Sequence, residues 1–138
     1  MRATGDCDFL IDFDNAELVR KMFLATGFKE LYLSTEVLQL MGPYGLDFLF
    51  AKRPLSLEML SQAKDIRGDG IRVVSAEGLI GLKIQAYCND PKRVFQDKAD
   101  IQSLIIKVKH LDWNAIKNTA DLFGEWPAIK AIRDGLNA

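Results

Sequence analysis

The sequence predicts an α+β (mixed α/β) fold, because strand patterns dominate its first half and helical patterns dominate its second half. Apolar runs rich in strand-forming residues predict strands over 6–13, 31–33, 37–41, 46–51 and 71–74. No linker, repeat or low-complexity segment interrupts the 138 residues. We therefore expect a single domain over 1–138, strand-rich over 1–74 and helical over 75–138.

Capping residues and apolar stripes predict where the helices begin. Asp14 resembles an N-cap, with Glu17 three residues later as its capping-box partner, and Gly27 suits the position just after the helix. Ser75 is the predicted cap of a helix over 76–88. Further helices are expected over 57–64 and starting at Asp97, Asp112 and Pro127.

Composition narrows the class of protein. The 19 acidic and 18 basic residues nearly balance, so no overall positive field favours nucleic acid. Cys7 and Cys88 lack metal-ligand spacing, which predicts reduced, buried thiols and a cytoplasmic location. No apolar run reaches the roughly 18 residues of a membrane span, and no signal peptide is visible, so we expect no membrane contact.

Three acidic residues predict a metal site. Asp6 and Asp8 lie two residues apart in a predicted strand, so their side chains share one face. Two carboxylates on one face repel each other unless a cation lies between them, and oxygen ligands suit Mg²⁺ or Mn²⁺. Asp47, an isolated acid in an apolar strand, is the predicted third ligand. The alternative to a metal site is that Asp6 and Asp8 are solvated acids on an edge strand. Asp12 is expected to be a cap or a surface residue.

Lys83 places a cation in the middle of an apolar helical stripe. Either its ammonium reaches the rim of the helix, or it binds a phosphate or a carboxylate. Asp97 and Asp100 either cap their helix or pair with Lys83 in a cleft. His110, the only histidine, is expected at the surface of a helix end.

Four segments, in this order, resemble the nucleotidyltransferase superfamily, specifically the small prokaryotic branch that includes the abortive-infection type IV toxins. They cover the chain from residue 2 to about residue 105. The resemblance rests on the Asp-x-Asp strand, the third-carboxylate strand, a strand-to-helix segment that ends in lysine, and an acidic segment: Arg2–Asp8, Gly45–Phe50, Val73–Lys83 and Asp97–Ile101.

The resemblance implies a small mixed sheet flanked by helices and transfer of a nucleotide from a nucleoside triphosphate. Asp6, Asp8 and Asp47 would hold the metal ion, and the third carboxylate would help activate an acceptor hydroxyl. The implied nucleotide-binding residues are Arg2, Thr4, Lys83, Asp97 and Asp100. The acceptor, which could be RNA, protein or a small molecule, stays open, and the branch implies an antitoxin as a partner.

One part of the family pattern is absent. The family carries a glycine-containing turn and a helix before the Asp-x-Asp strand, whereas nothing precedes Met1 in this sequence. We expect either a shortened product or a reduced family member that folds but transfers nucleotides poorly, and whose exposed apolar surface favours a homodimer. Two alternatives stay open: an inactive module that binds a nucleotide or a protein, and a dimerising module whose acids are incidental.

Overall fold

A computed structural model describes residues 7–137 of the chain, with four strands and six α-helices over that range. The strands are β1 Cys7–Asp12, β2 Lys29–Leu33, β3 Val37–Met41 and β4 Gly45–Ala51. The helices are α1 Ala16–Ala25, α2 Pro54–Gln62, α3 Ala76–Asn89, α4 Val94–Lys107, α5 Trp113–Leu122 and α6 Trp126–Asn137. The predicted α+β class, with a helical C-terminal half, is confirmed.

The chain divides into two compact units, the first ending at Gln62 and the second beginning at Ala63. The first unit holds the whole sheet with α1 and α2, and the second holds α3 to α6. None of the helices over residues 7–137 is long and apolar enough to cross a membrane.

The sheet is mixed, with the strand order β1-β4-β3-β2. The predicted hairpin is present: β3 and β4 pair in antiparallel fashion across the short turn between Met41 and Gly45. β1 lies at one edge and pairs with β4 in parallel. The fourth strand of the chain therefore lies between the first strand and the third strand.

One face of the sheet packs against α1 and forms the core of the first unit. The sheet contributes the buried residues Leu38, Leu40, Leu46, Phe48 and Phe50. Val19 and Phe23 of α1 pack against them. Leu18 and Met22, predicted on the same stripe, are 60% and 58% exposed, so only the Val19 and Phe23 half of that stripe is partly buried.

The second unit has a separate apolar core among its four helices. Its buried members are Ile80, Ile84, Tyr87, Ile101, Ile116, Ala120 and Ile129. Two predicted caps start helices of this unit: Ser75 accepts a hydrogen bond from the Gly78 amide, and Asp112 accepts one from the Ala115 amide. These local signals were read correctly because each depends only on residues within the next turn.

The structure corrects two predicted helix starts. Asp14 does not cap α1, because a 3-10 turn over Phe13–Asn15 intervenes and Asp12 accepts the hydrogen bond from the Asp14 amide. The expectation that Asp12 is a cap is thus confirmed. α4 begins at Val94 rather than at Asp97, because the 3-10 turn Pro91–Arg93 continues directly into the helix.

Two further expectations were wrong. Residues 71–74 do not form a strand: within residues 7–137 this segment makes one isolated bridge, between Val73 and Lys64, which is too little pairing for a ladder. Cys7 and Cys88 form no disulfide bond, and both are exposed rather than buried. Cys7 lies on the edge strand β1, and Cys88 lies in the last turn of α3, where little of the chain covers them.

Candidate functional site

Asp8 and Asp47 occupy partner positions on two neighbouring strands. The parallel register pairs Asp8 with Asp47 and, one position later, Phe9 with Phe48. Paired strands lie about 4.8 Å apart, and partner residues project to the same face. The two residues therefore form one cross-strand pair, and the metal site that the sequence predicts at Asp8 and Asp47 stays a prediction.

Aromatic contacts show which face carries the two acids. The rings of Phe9 and Phe48 stack with their centroids 5.3 Å apart, and the Phe48 ring also lies 5.3 Å from Phe23 of α1. Phe48 thus points toward α1. Because side chains alternate along a strand, Asp47 and its partner Asp8 project to the opposite face of the sheet.

The two acids differ in burial. Asp47 is 7% exposed, in a strand whose seven residues are all buried, whereas Asp8 is exposed. A buried carboxylate is costly unless it is paired, hydrogen-bonded or bound to a metal. The buried Asp47 could hold a cation as a fixed ligand. The exposed Asp8, on the same face, would let that cation enter from solvent.

The donor set suits a hard divalent cation. Carboxylate oxygens are the ligands that Mg²⁺ prefers, and one or two carboxylates together with substrate phosphates make up many magnesium sites. Asp8 and Asp47 fit that description. Within residues 7–137 no group of three or more histidine, cysteine or acidic side chains is arranged to hold a metal. Asp6, which the sequence predicts as a metal ligand together with Asp8, lies outside the described residues, and so do Arg2 and Thr4.

A second charged cluster lies in the other unit, between α3 and α4. The Lys83 ammonium donates a hydrogen bond to Oδ2 of Asp100 at 2.8 Å and lies 3.6 Å from Oδ1 of Asp97. Lys83 is 1% exposed and Asp97 is fully buried. The predicted pairing of Lys83 with both acids is confirmed, and the alternative of a lysine reaching the helix rim is wrong.

Arg93 completes this cluster and was missed in the sequence. Its Nε and Nη2 donate hydrogen bonds to the two carboxylate oxygens of Asp97, at 3.0 and 2.8 Å. The available signal was the spacing of four residues between Arg93 and Asp97, which places both on one helical face. With Arg93 present, two cations and two carboxylates balance in the cluster.

The ionisation of Asp97 reflects opposing influences. Burial raises the pKa of the Asp97 carboxyl, and Asp100 raises it further, while Arg93 and Lys83 oppose the increase. Asp97 does not cap α4, since its carboxylate accepts hydrogen bonds from Arg93 and lies near Lys83. The cap alternative is therefore wrong for Asp97, and Asp100, which binds the Lys83 ammonium, lies beyond the first turn of α4.

Comparisons with known proteins add no assignment. No family model matches the sequence, and no curated protein matches it. The nucleotidyltransferase resemblance therefore depends on the residues of this chain and on their arrangement.

Proposed function

We propose that this chain is a metal-dependent nucleotidyltransferase, in which Asp8 and Asp47 hold Mg²⁺ or Mn²⁺ against the phosphates of a nucleoside triphosphate. The observation that carries the proposal is the parallel register that pairs Asp8 with Asp47 on the face of the sheet away from α1. Asp6 is proposed as a further ligand of the same cation. Lys83, Asp97 and Asp100 remain predicted nucleotide-binding residues, although the Lys83 ammonium is engaged by the two acids.

The proposed reaction moves one nucleotide to an acceptor hydroxyl. The hydroxyl oxygen attacks the α-phosphorus, a new phosphorus–oxygen bond forms, the bond to the bridging oxygen breaks, and pyrophosphate leaves. The Asp47 carboxylate accepts the proton of the hydroxyl. Asp8 would hold the cation together with Asp47, and the cation would orient the phosphates. The bound cation would neutralise charge that develops on the phosphate oxygens.

Binding of magnesium and nucleotide tests the site. We expect Asp8→Asn and Asp47→Asn each to weaken Mg²⁺-dependent binding of a nucleoside triphosphate by more than about tenfold, which corresponds to about 1.4 kcal/mol. Isothermal titration calorimetry with and without Mg²⁺ measures the effect. Asp8→Asn should leave the stability of the metal-free protein close to that of wild type, because Asp8 is exposed and asparagine has nearly the same shape.

Asp12→Asn is the matched control. Asp12 lies on the same strand four positions from Asp8, hence about 13 Å along β1, and asparagine retains its capping function. It should leave metal-dependent binding unchanged. Equal binding by Asp8→Asn and wild type would contradict the proposal, and a large loss of stability in metal-free Asp8→Asn would make Asp8 a structural residue.

Transfer of label from an α-labelled nucleoside triphosphate separates an enzyme from an inactive binding module. Label that appears in RNA, in protein or in a small acceptor, and is lost in Asp47→Asn, supports the enzyme and identifies the acceptor class. Binding without transfer to any of the three classes supports the inactive module. Neither an antitoxin nor a homodimer is needed for this test, and both stay predictions.

A further inference from the structure

The cross-strand pair of Asp8 and Asp47 continues across the sheet as a row of polar residues, each the register partner of the next. In the antiparallel register, Asp47 of β4 pairs with Gln39 of β3, and Gln39 pairs with Tyr32 of β2. Asp8, Asp47, Gln39 and Tyr32 therefore form one line of four partners, one from each strand. Partners share a face, so all four belong to the face away from α1.

Gln39 is the polar exception in its strand. Its neighbours in β3, Leu38 and Leu40, are buried and belong to the core against α1, whereas Gln39 is half-buried on the other face. Sequence reasoning selected Asp47 because it is an isolated acid in an apolar strand, and the same reasoning applies to an isolated amide. The amide offers one acceptor and two donors side by side.

Tyr32 reaches its position through an irregularity in β2. The register shifts between Glu30, which pairs with Leu40, and Tyr32, which pairs with Gln39. A bulge of this kind redirects a side chain, and such bulges occur often next to functional sites. The half-buried Tyr32 ring thus lies one strand beyond Gln39, on the same line.

We propose that Gln39 and Tyr32 bind the base of the nucleotide and that Gln39 selects adenine. This inference rests on the function proposed above. Gln39 lies about 5 Å and Tyr32 about 10 Å from Asp47 across the sheet. A base is separated from its phosphates by the sugar, so it must lie at such a distance from the metal ligands. Neither side chain is charged, so this end of the row suits a neutral base rather than a phosphate.

The chemistry of the two side chains defines their roles. A glutamine amide pairs with adenine through two hydrogen bonds, donating to a ring nitrogen and accepting from the exocyclic amine. A tyrosine ring stacks on any base and adds affinity with little selectivity. Gln39 therefore determines the preference among bases, and Tyr32 supplies affinity that all bases share.

The test compares Mg²⁺-dependent binding of ATP, GTP, CTP, UTP and inorganic tripolyphosphate by calorimetry. We expect wild type to prefer ATP, and Gln39→Met to weaken ATP binding by about tenfold with little effect on the other nucleotides. Tyr32→Leu should weaken all four nucleotides by about tenfold, and Tyr32→Phe should retain them. Tripolyphosphate lacks a base, so its binding should be equal in wild type, Gln39→Met and Tyr32→Leu.

Controls separate this inference from the proposed function. Tyr44→Leu removes an aromatic ring from the turn before β4, where Tyr44 packs on Phe28, and should not change any affinity. Gln39→Asn keeps an amide but shortens the side chain, so it should also lose the ATP preference. It serves as a second variant if Gln39→Met does not fold.

Three outcomes are decisive. If wild type binds neither nucleotides nor tripolyphosphate with Mg²⁺, the proposed function itself fails. If wild type binds nucleotides through Asp8 but Gln39→Met and Gln39→Asn keep its base preference, only the base-binding role is overturned. A wild-type preference for a base other than adenine also overturns the assignment of Gln39.

Discussion

Lys83 carries a positive charge into the interior of the second unit, where two carboxylates hold it. Its side chain is 1% exposed, and its ammonium donates a hydrogen bond to Oδ2 of Asp100 at 2.8 Å. An ammonium in such surroundings is costly to bury and is tolerated because it is paired. Loss of only one member of the group leaves an uncompensated buried charge.

We predict that Lys83→Met lowers the free energy of unfolding by about 3–5 kcal/mol, because it leaves Asp100 and Asp97 without their shared cation. The double variant Lys83→Met with Asp100→Asn should recover part of the loss, since the carboxylate that accepts the Lys83 hydrogen bond is also neutralised. Urea denaturation at neutral pH measures both. Lys117→Met is the control: Lys117 pairs with Asp121 at the surface, with side chains 47% and 49% exposed, and should lose less than about 1 kcal/mol. Equal losses at the two lysines would contradict this interpretation.

At the scale of the elements, an ion-pair group joins the start of β3 to the residues between β4 and α2. The Glu36 carboxylate accepts hydrogen bonds from Nη1 and Nη2 of Arg53, at 2.7 and 2.8 Å, and lies 3.2 Å from the Lys52 ammonium. Burial acts to raise the pKa of Glu36, but the hydrogen bonds and charges of Arg53 and Lys52 together lower the pKa below its ordinary value.

We predict that Glu36→Gln lowers the free energy of unfolding at pH 7 by about 1–3 kcal/mol. A depressed pKa stabilises the folded state above the unfolded-state pKa of about 4.3, and this stabilisation is lost as the pH falls through the lower folded-state pKa. The difference between wild type and Glu36→Gln should therefore shrink toward about pH 3. Urea denaturation at both pH values measures it.

Glu58→Gln is the control, because Glu58 is an exposed acid on α2, and it should change stability by less than about 0.5 kcal/mol at either pH. A Glu36→Gln difference that stays constant down to acidic pH would show that the carboxylate is not the group that titrates.

At the scale of the whole molecule, the described residues form two compact units, and the second unit contains an exposed segment near its start. Every residue from 64 to 73 is exposed, and the backbone of this segment is tied by the single bridge between Lys64 and Val73. Gly68 and Gly70 adopt positive φ values of 76° and 85°, and their amides donate hydrogen bonds to the Asp65 carboxylate. Exposed backbone with so few hydrogen bonds is the preferred site of proteolysis.

We predict that brief treatment of the native protein with trypsin cuts first after Lys64, Arg67 or Arg72, because all three are exposed within that segment. Intact-mass measurement of the first two fragments identifies the cut. The triple variant with Lys64→Gln, Arg67→Gln and Arg72→Gln should resist for longer under the same conditions. A first cut at Arg93, which is 3% exposed, would contradict the assignment of the most accessible segment.

Local features of the fold could be predicted from the sequence because they depend on neighbours in the chain. The strands β3 and β4 and the turn between them follow from apolar runs that flank Gly42 and Pro43. The caps Ser75 and Asp112 lie within four residues of the amides that they satisfy. The isolated acid in β4 was also visible, because a charge in an apolar strand requires a partner.

Tertiary structure alone decided which distant residues became partners. The parallel pairing of β1 with β4 joins segments separated by α1 and a hairpin, and no local pattern specifies the register that places Asp8 opposite Asp47. The position of Tyr32 opposite Gln39 likewise depends on a register shift in β2, which no local pattern in the sequence predicts. Asp97 looked like a cap in the sequence, yet in the folded chain its carboxylate binds Arg93 and lies near Lys83, because a buried charge is stabilised most by the cations that the fold brings to it.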